Sequence, residues 1–291
     1  MPIARTSGNP SRAALAARLT ALREASGLSG NAFAKRMGIV QSRVWKIEHG
    51  ELLPNADDIR SWVAAAGQPA QTAGELTDLL GHAHVEYETW KAAYRKGGGA
   101  AAQQAAYITL EAQATVIGEF QIAMFPGIIQ TAEYAREVLS LPSGPMAWGS
   151  TASDIESMID NRLRRQEVAL YDPRKRVQIV LYEAALRTLV CTPSTLVGQL
   201  RKLLAVDALP SVELGIIGFH QHMPVFPFTA FSVRDELIVI DHLTGEQTID
   251  DRDEVASWVC FFDLLRAAAS TGEAAHHLIH TAVARLEETL S

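Results

Sequence analysis

The sequence predicts an α+β protein, with an all-α N-terminal domain of four to five helices followed by a larger mixed α+β domain. Apolar residues recur at helical spacing as far as Gly67, and this stretch has no strand pattern. Later segments such as 176–182 instead alternate apolar and polar residues with the period of two that is typical of strands. A length of 291 residues also suffices for two domains.

Composition indicates where the domains begin and end. The polar segment 1–11 predicts a disordered tail, and the Pro-containing segment 68–71 predicts the junction between domains 12–70 and 71–291. No apolar run approaches the roughly 18 to 20 residues of a membrane helix, and the N-terminus lacks the apolar stretch of a signal peptide. A cytoplasmic location without a membrane partner is therefore expected.

The first domain is expected to hold short helices separated by glycines. Their approximate spans are 11–27, 29–38, 41–49 and 55–67. Ser29 is the predicted N-cap of the second helix. Asn55 and Asp58, three residues apart, predict a capped start with an acidic first turn for the fourth helix.

The second domain is expected to combine helices and strands. The expected helices span about 72–95, a segment ending near 115, 130–139, 153–169, 251–269 and 274–289. The expected strands span about 116–124, 176–182, 212–217, 229–233 and 237–240. Capping boxes are predicted at Thr72 with Glu75 and at Ser153 with Glu156. Because strands and helices do not alternate regularly, a doubly wound sheet is not expected.

The segment from Leu28 to Gly50 meets the steric requirements of two helices joined by a tight turn. Ala34 is the small residue where the helices touch, and Gly38 permits the positive φ that the turn needs. The inward apolar positions are filled by Ile39, Val44 and Ile47. This pattern is typical of a helix-turn-helix, which binds double-stranded DNA with its second helix in the major groove.

This segment resembles the Cro/repressor-like (XRE) helix-turn-helix family over about residues 12–67. The matching positions are Gln41, Ser42, Val44, Ile47, Glu48, Gly50 and Pro54. The resemblance implies a transcription regulator that acts as a homodimer, with two recognition helices about 34 Å apart on DNA. Gly30 and Val40 depart from the family pattern, which often has a bracing Gln at the first position and a capping Ser or Thr at the second.

The predicted DNA-binding residues lie at the starts of two helices. They are Ser29, Asn31, Gln41, Ser42, Arg43, Trp45 and Lys46. Gln41 is the candidate base reader, because its amide can pair with adenine, and Arg43 is a candidate for guanine or phosphate. Lys46 and Ser42 are expected to contact phosphate. Ser29 and Asn31 are expected to supply the phosphate contacts that the departures at Gly30 and Val40 weaken.

Trp45, which is one of these residues, and the nearby Glu48 have expected roles outside base reading. Trp45 is expected to cover the core beside Val44 or to meet a partner surface, and the alternative is contact with the sugar-phosphate edge. Glu48 is expected to pair with an arginine of the first helix.

Three further motifs lie in the second domain. They are Phe125-Pro126-Gly127 with its continuation to Ala135, Arg162-x-x-Arg165-Gln166, and Leu243-Thr244-Gly245. They resemble a domain of unknown function that is common in actinobacteria and follows an XRE domain in regulators described as antitoxin-like. The resemblance spans most of residues 75–285 and implies a regulator whose input is a small partner protein or a small-molecule effector.

No feature of the sequence predicts a catalytic residue, a cofactor or a metal site, so no enzyme activity is expected. His276 and His280 are four residues apart, but no Glu completes the H-E-x-x-H pattern. The acidic pairs near residue 251 are predicted to favour a helix N-terminus. Cys191 and Cys260 lie in apolar surroundings and are expected to be buried free thiols.

Charge is distributed unevenly along the chain. Residues 1–70 hold nine Lys/Arg and five Asp/Glu, whereas residues 71–291 hold 17 Lys/Arg and 28 Asp/Glu. The net charge of the whole chain is −7. DNA affinity should therefore be confined to the first domain. The leading prediction is a sequence-specific DNA-binding regulator controlled through its C-terminal domain. The alternative is an antitoxin-like interaction protein that binds a small partner through residues 71–291, with autoregulatory DNA binding.

Overall fold

The computed structural model describes residues 10–89, 107–143, 150–223, 225–226, 228–243 and 245–290. The chain divides into two compact units. The first comprises Met1–Tyr87 with Thr248–Asp251, and the second comprises Glu88–Gln247 with Arg252–Ser291. Most of the tail predicted over residues 1–11 lies outside the described residues.

The first unit begins with five helices, as predicted. They are α1 (Pro10–Ala25), α2 (Gly30–Met37), α3 (Gln41–Glu48), α4 (Ala56–Ala65) and α5 (Gln71–His84). Trp62 and Phe33 lie fully buried between them with their rings 5.0 Å apart. The Trp62 indole donates a hydrogen bond to the Leu19 carbonyl at 2.9 Å, so the ring is buried without an unsatisfied N–H.

The fifth helix belongs to the core of the first unit, although the sequence analysis places residue 71 at the start of the second domain. Leu76, Leu80 and Ala83 pack into this core. The prediction of one continuous helix over 72–95 is wrong, because the helix ends at His84 and strand β1 (Val85–Thr89) follows. The β1 sequence alternates Val, Tyr and Thr with Glu, which favours a strand.

The second unit mixes helices and strands, which confirms the predicted fold class. Its strands are β2 (Val116–Gln121), β3 (Arg176–Tyr182), β4 (Val212–Ile217), β5 (Phe231–Arg234) and β6 (Leu237–His242), followed by β7 (Gly245–Ile249). Its helices are α6 (Ala132–Leu139), α7 (Ala152–Leu170), α8 (Pro193–Asp207), α9 (Arg252–Ala268) and α10 (Gly272–Leu290). Residues 107–113 are also helical.

Five strands of the second unit form a mixed sheet in the order β6-β5-β2-β3-β4. Strands β2, β3 and β4 are parallel, with Ile117 opposite Val177 and Val177 opposite Val212. Strands β5 and β6 add antiparallel pairing on the other side of β2. Helices α8 and α10 pack against the parallel part, and their buried apolar residues complete one core with β3 and β4.

Three local predictions for the second unit need correction. Helix α8 and strand β7 were not predicted, although Thr192 caps α8 and Pro193 stands in its first turn. The capping box of α7 is formed by Thr151 and Asp154, two residues before the predicted pair of Ser153 and Glu156.

The two cysteines differ from the expectation that both are buried. Cys260 is exposed on α9, and Cys191 is only partly buried. Burial, followed by the nearby Glu137 carboxylate, raises the pKa of the Cys191 thiol to about 11. The Cys191 thiol therefore stays neutral near pH 7.

Candidate DNA-binding surface

Helices α2 and α3 are joined by the tight turn that the sequence predicts. The Ser29 hydroxyl caps α2 by accepting a hydrogen bond from the Ala32 N–H at 3.3 Å. Gly38 ends α2 with φ of 73°, a left-handed conformation that costs glycine little. The Ile39 N–H then donates to the Ala34 carbonyl at 3.0 Å, which closes the turn.

The buried side of α3 determines which residues face solvent. Val44 and Ile47 are each 1% exposed and pack into the core of the first unit. Since an α-helix turns about 100° per residue, Ser42, Trp45 and Lys46 fall on the opposite side, and all three are exposed. These three residues form the centre of the candidate reading face.

Gln41 lies at the edge of this face nearest α2. A β-carbon built on Gly30 would lie 3.9 Å from Gln41 Nε2, so position 30 is the neighbour of the Gln41 amide. A glutamine at position 30 would reach Gln41, whereas glycine contributes no side chain there. The brace that the family pattern supplies at this position is therefore absent from this chain.

Arg43 lies at the opposite edge of the face, beside α4. Its Nη2 lies 2.6 Å from Asp58 Oδ2, and the two side chains are 36% and 12% exposed. The same Asp58 oxygen accepts the Asn55 N–H at 3.0 Å in the predicted capping box of α4. The sequence analysis identified the cap but missed the ion pair, which joins residues 15 positions apart.

Trp45 does not extend the core beside Val44. Its side chain is 42% exposed and stacks on the His49 ring, with ring centroids 4.2 Å apart and planes inclined by 25°. His49 Nδ1 lies 2.8 Å from the Trp45 carbonyl oxygen, which holds the two rings together. The indole therefore presents an apolar face to solvent, as contact with a sugar-phosphate edge or a partner surface requires.

The end of α3 is tied to the first helix. Glu48 pairs with Arg23 of α1, as predicted, and both side chains are largely buried. Arg12 Nε donates to the Gly50 carbonyl at 2.9 Å. These two contacts fix the orientation of α3 against α1.

Position 40 offers a direct test of local stability. Val40 is the N-cap of α3, is 67% exposed and makes no side-chain capping hydrogen bond. Val40→Ser should stabilise the first unit by about 0.5–2 kcal/mol, because the hydroxyl can accept an unpaired N–H in the first turn. Urea unfolding followed by circular dichroism measures this, with Val40→Ala as the control; equal midpoints for the two variants would contradict it.

The predicted phosphate-binding residues at the start of α2 share this helix with two basic residues. Ser29 and Asn31 are both exposed at the start of α2. Lys35 and Arg36, which the sequence analysis did not single out, are also exposed on this helix. Their cations are available to add to the positive charge of the domain.

The second-unit motif forms a buried polar cluster. Arg162 donates to the Gln130 side chain, and Gln166 Nε2 donates to the Gln130 carbonyl at 2.6 Å. Arg165 Nε and Nη2 donate to the two oxygens of Glu111 at 2.8 and 2.6 Å. The motif residues therefore connect α7 to the helical residues 107–113 and to the loop before α6.

A second carboxylate joins this cluster through Arg234. Arg234 Nη2 lies 2.5 Å from Glu119 Oε1 and 3.3 Å from Glu111 Oε1. Burial raises the pKa of Glu119, and the adjacent Arg234 opposes that shift. Because these groups are mutually hydrogen-bonded, the cluster is suited to holding the fold.

An apolar cavity of about 280 Å³ opens beside α9. It is lined by Phe228, Thr229, Ser257, Trp258 and Phe261. Phe228 is 83% exposed, and its ring centroid is 4.6 Å from that of the exposed Phe226. The lining has no charged residue, so the cavity is suited to a neutral apolar group.

The histidines considered as metal ligands lie on α10. His276 Nε2 lies 2.7 Å from Asp207 Oδ2 and so connects α10 to α8. Within the described residues, no group of three His, Cys, Asp or Glu side chains is arranged to hold a metal ion. No described helix combines the length and apolarity needed to span a membrane.

Comparisons with known proteins agree with the two units. A family profile described as "Helix-turn-helix domain" matches residues 14–76, and one described as "Domain of unknown function (DUF5753)" matches residues 104–281. No curated protein matches the chain.

A solved structure of TrmBL2, an archaeal chromatin protein described as showing a novel mode of DNA binding, is 12% identical over 84% of this chain and 88% of that one. Its TM-score of 0.32 is too low to support an argument. Since the second profile covers more than half of the chain, the protein belongs to the DUF5753 family and carries a helix-turn-helix domain at its N-terminus.

Proposed function

We propose that the protein is a sequence-specific transcription regulator that reads the DNA major groove with α3, beginning at Gln41. The observation that carries this proposal is the exposed face of α3. Ser42, Trp45 and Lys46 face solvent, while Val44 and Ile47 anchor the helix in the core. A firmly held helix with a polar and basic outer face is the arrangement by which a helix-turn-helix meets base edges and phosphates.

The test is binding of the full-length protein to the DNA upstream of its own gene and to scrambled DNA of equal length, across a salt series. A regulator with a typical specific site should prefer the upstream DNA by about 10³-fold or more. Equal and weak binding to both DNAs would contradict the proposed sequence-specific regulation.

The proposed active form is a cytoplasmic homodimer, since two recognition helices about 34 Å apart would read a near-palindromic site. Sedimentation equilibrium of the free protein and of its complex with upstream DNA tests this assembly. Two chains per DNA duplex are expected, and a single chain per duplex would contradict it. The protein is proposed to act by binding, without catalysis.

The second unit is proposed to control DNA binding through a neutral, apolar small molecule in the cavity beside α9. A cavity of about 150 Å³ lined by apolar side chains can bind benzene. The cavity here has about 280 Å³ and is therefore suited to a planar molecule of two rings. Thr229 and Ser257 are the hydroxyl-bearing residues of its lining, and their hydroxyls donate to the carbonyls of Ala230 at 3.1 Å and Asp253 at 2.9 Å.

Titration with 2-naphthol, a neutral two-ring probe at pH 7, tests this cavity. Ser257→Phe should fill the space and weaken probe binding about tenfold or more, since the ring takes the place of the ligand. Ala256→Phe is the matched control, because Ala256 is exposed on the same helix and does not line the cavity. Calorimetry that shows equal affinities for the two variants would contradict this site.

The alternative input is a small basic partner protein, as in the antitoxin-like interpretation. The excess of 28 Asp/Glu over 17 Lys/Arg in residues 71–291 favours it. Co-purification of a basic partner that alters binding to upstream DNA would support this alternative over the small molecule.

A further inference from the structure

We propose that Asp58 is a positioning residue for DNA recognition, because it holds the Arg43 guanidinium at the edge of the reading face. This inference rests on the proposed function. The two groups form a charge-assisted hydrogen bond of 2.6 Å between Arg43 Nη2 and Asp58 Oδ2. Arg43 then meets a guanine edge in the major groove from a fixed position, beside the exposed Ser42 and Lys46.

Asp58 is itself firmly placed. Its backbone N–H donates to Asn55 Oδ1 at 2.8 Å, and its carboxylate accepts the Asn55 N–H at 3.0 Å. It lies in the first turn of α4, where the helix dipole favours a negative charge. A carboxylate held by this reciprocal pair offers Arg43 an anchor of defined position.

Arginine chemistry lets the same side chain serve both Asp58 and DNA. A guanidinium carries five N–H donors in one plane, and the bond to Asp58 uses one of them on Nη2. Fixing that plane before DNA arrives reduces the conformational entropy that a long side chain loses on binding. A guanine in register with that plane can accept two hydrogen bonds from Arg43, at O6 and N7, and a site without this guanine loses them.

The opposite interpretation is that Asp58 only neutralises Arg43 and weakens DNA binding. Loss of the Asp58 charge would raise attraction to every DNA, because a negative group near the phosphates is removed. Absolute affinity therefore does not separate the two interpretations. The ratio of affinities for upstream and scrambled DNA does, since a uniform electrostatic gain cancels in it.

The experiment measures this ratio for the full-length protein and for Asp58→Asn, Arg43→Ala and the double variant. Asp58→Asn should lower the ratio about tenfold, which is the scale of one lost specific contact. Arg43→Ala should lower it similarly, and the double variant should be no worse than Arg43→Ala. Asp57→Asn is the matched control: Asp57 lies in the same first turn of α4 and pairs with Arg60 on the surface, so the variant loses the same charge but keeps the Arg43–Asp58 pair, and the ratio should stay near wild type.

Three results would overturn the positioning role. They are an unchanged or increased ratio in Asp58→Asn, an equal further loss when Asp58→Asn is added to Arg43→Ala, and a loss in Asp57→Asn as large as that in Asp58→Asn. A wild-type protein that binds both DNAs equally would instead overturn the proposed function and this inference with it. A wild-type preference that is unchanged in Asp58→Asn would overturn the inference alone.

Discussion

Replacing Glu111 with glutamine should destabilise the second unit by about 3–5 kcal/mol, the cost of removing one partner of a buried ion pair. Glu111 is fully buried and receives two hydrogen bonds from Arg165, at 2.8 and 2.6 Å, and one from Arg234 at 3.3 Å. The amide keeps the size of the side chain and removes its charge. Two buried guanidinium groups would then share the remaining Glu119 carboxylate.

Thermal unfolding followed by circular dichroism measures the effect. For a domain of this size, the predicted loss corresponds to a decrease in Tm of about 6–20 °C. Glu156→Gln is the matched control, because Glu156 receives two hydrogen bonds from Arg136, at 2.8 and 2.9 Å, on the protein surface. Its Tm should stay close to wild type, since solvent screens an exposed pair. Equal decreases for the two variants would show that burial of the Glu111 pair adds nothing.

The helix-turn-helix could be predicted from the sequence because its determinants are local. The Ser29 cap, the positive φ at Gly38 and the inward spacing of Val44 and Ile47 each depend on a few neighbouring residues. The exposed face of α3 follows from that spacing. The Arg43–Asp58 pair depends instead on how α4 packs beside α3, and helical periodicity carries no information about that packing.

The second unit was less predictable for the same reason. Buried strands such as β3 showed clear apolar patterns, whereas β7 has the largely polar sequence Gly-Glu-Gln-Thr-Ile and only its ends are buried. Helix α8 did carry a readable signal in Thr192 and Pro193, which the sequence analysis overlooked. The role of Arg165 in the family motif could not be inferred, because its partner Glu111 lies 54 positions away.

Lys46→Glu should abolish most DNA binding, with affinity for upstream and scrambled DNA falling together by about one to two orders of magnitude. Lys46 is exposed at the centre of the reading face, so its cation is placed to neutralise a phosphate. The salt dependence should become shallower by about one unit, because one fewer counterion is released on binding. Fluorescence anisotropy across a salt series measures both quantities.

Two variants separate a phosphate contact at Lys46 from other causes. Arg201→Glu makes the same change of net charge in the second unit, where Arg201 forms an exposed pair with Glu287, and should leave DNA affinity near wild type. Gln41→Ala should lower affinity for upstream DNA alone, by the roughly 1–3 kcal/mol of one base contact, and leave the salt slope unchanged. If Lys46→Glu and Arg201→Glu weakened binding equally, net charge rather than contact would explain the loss, and α3 would not be the reading helix.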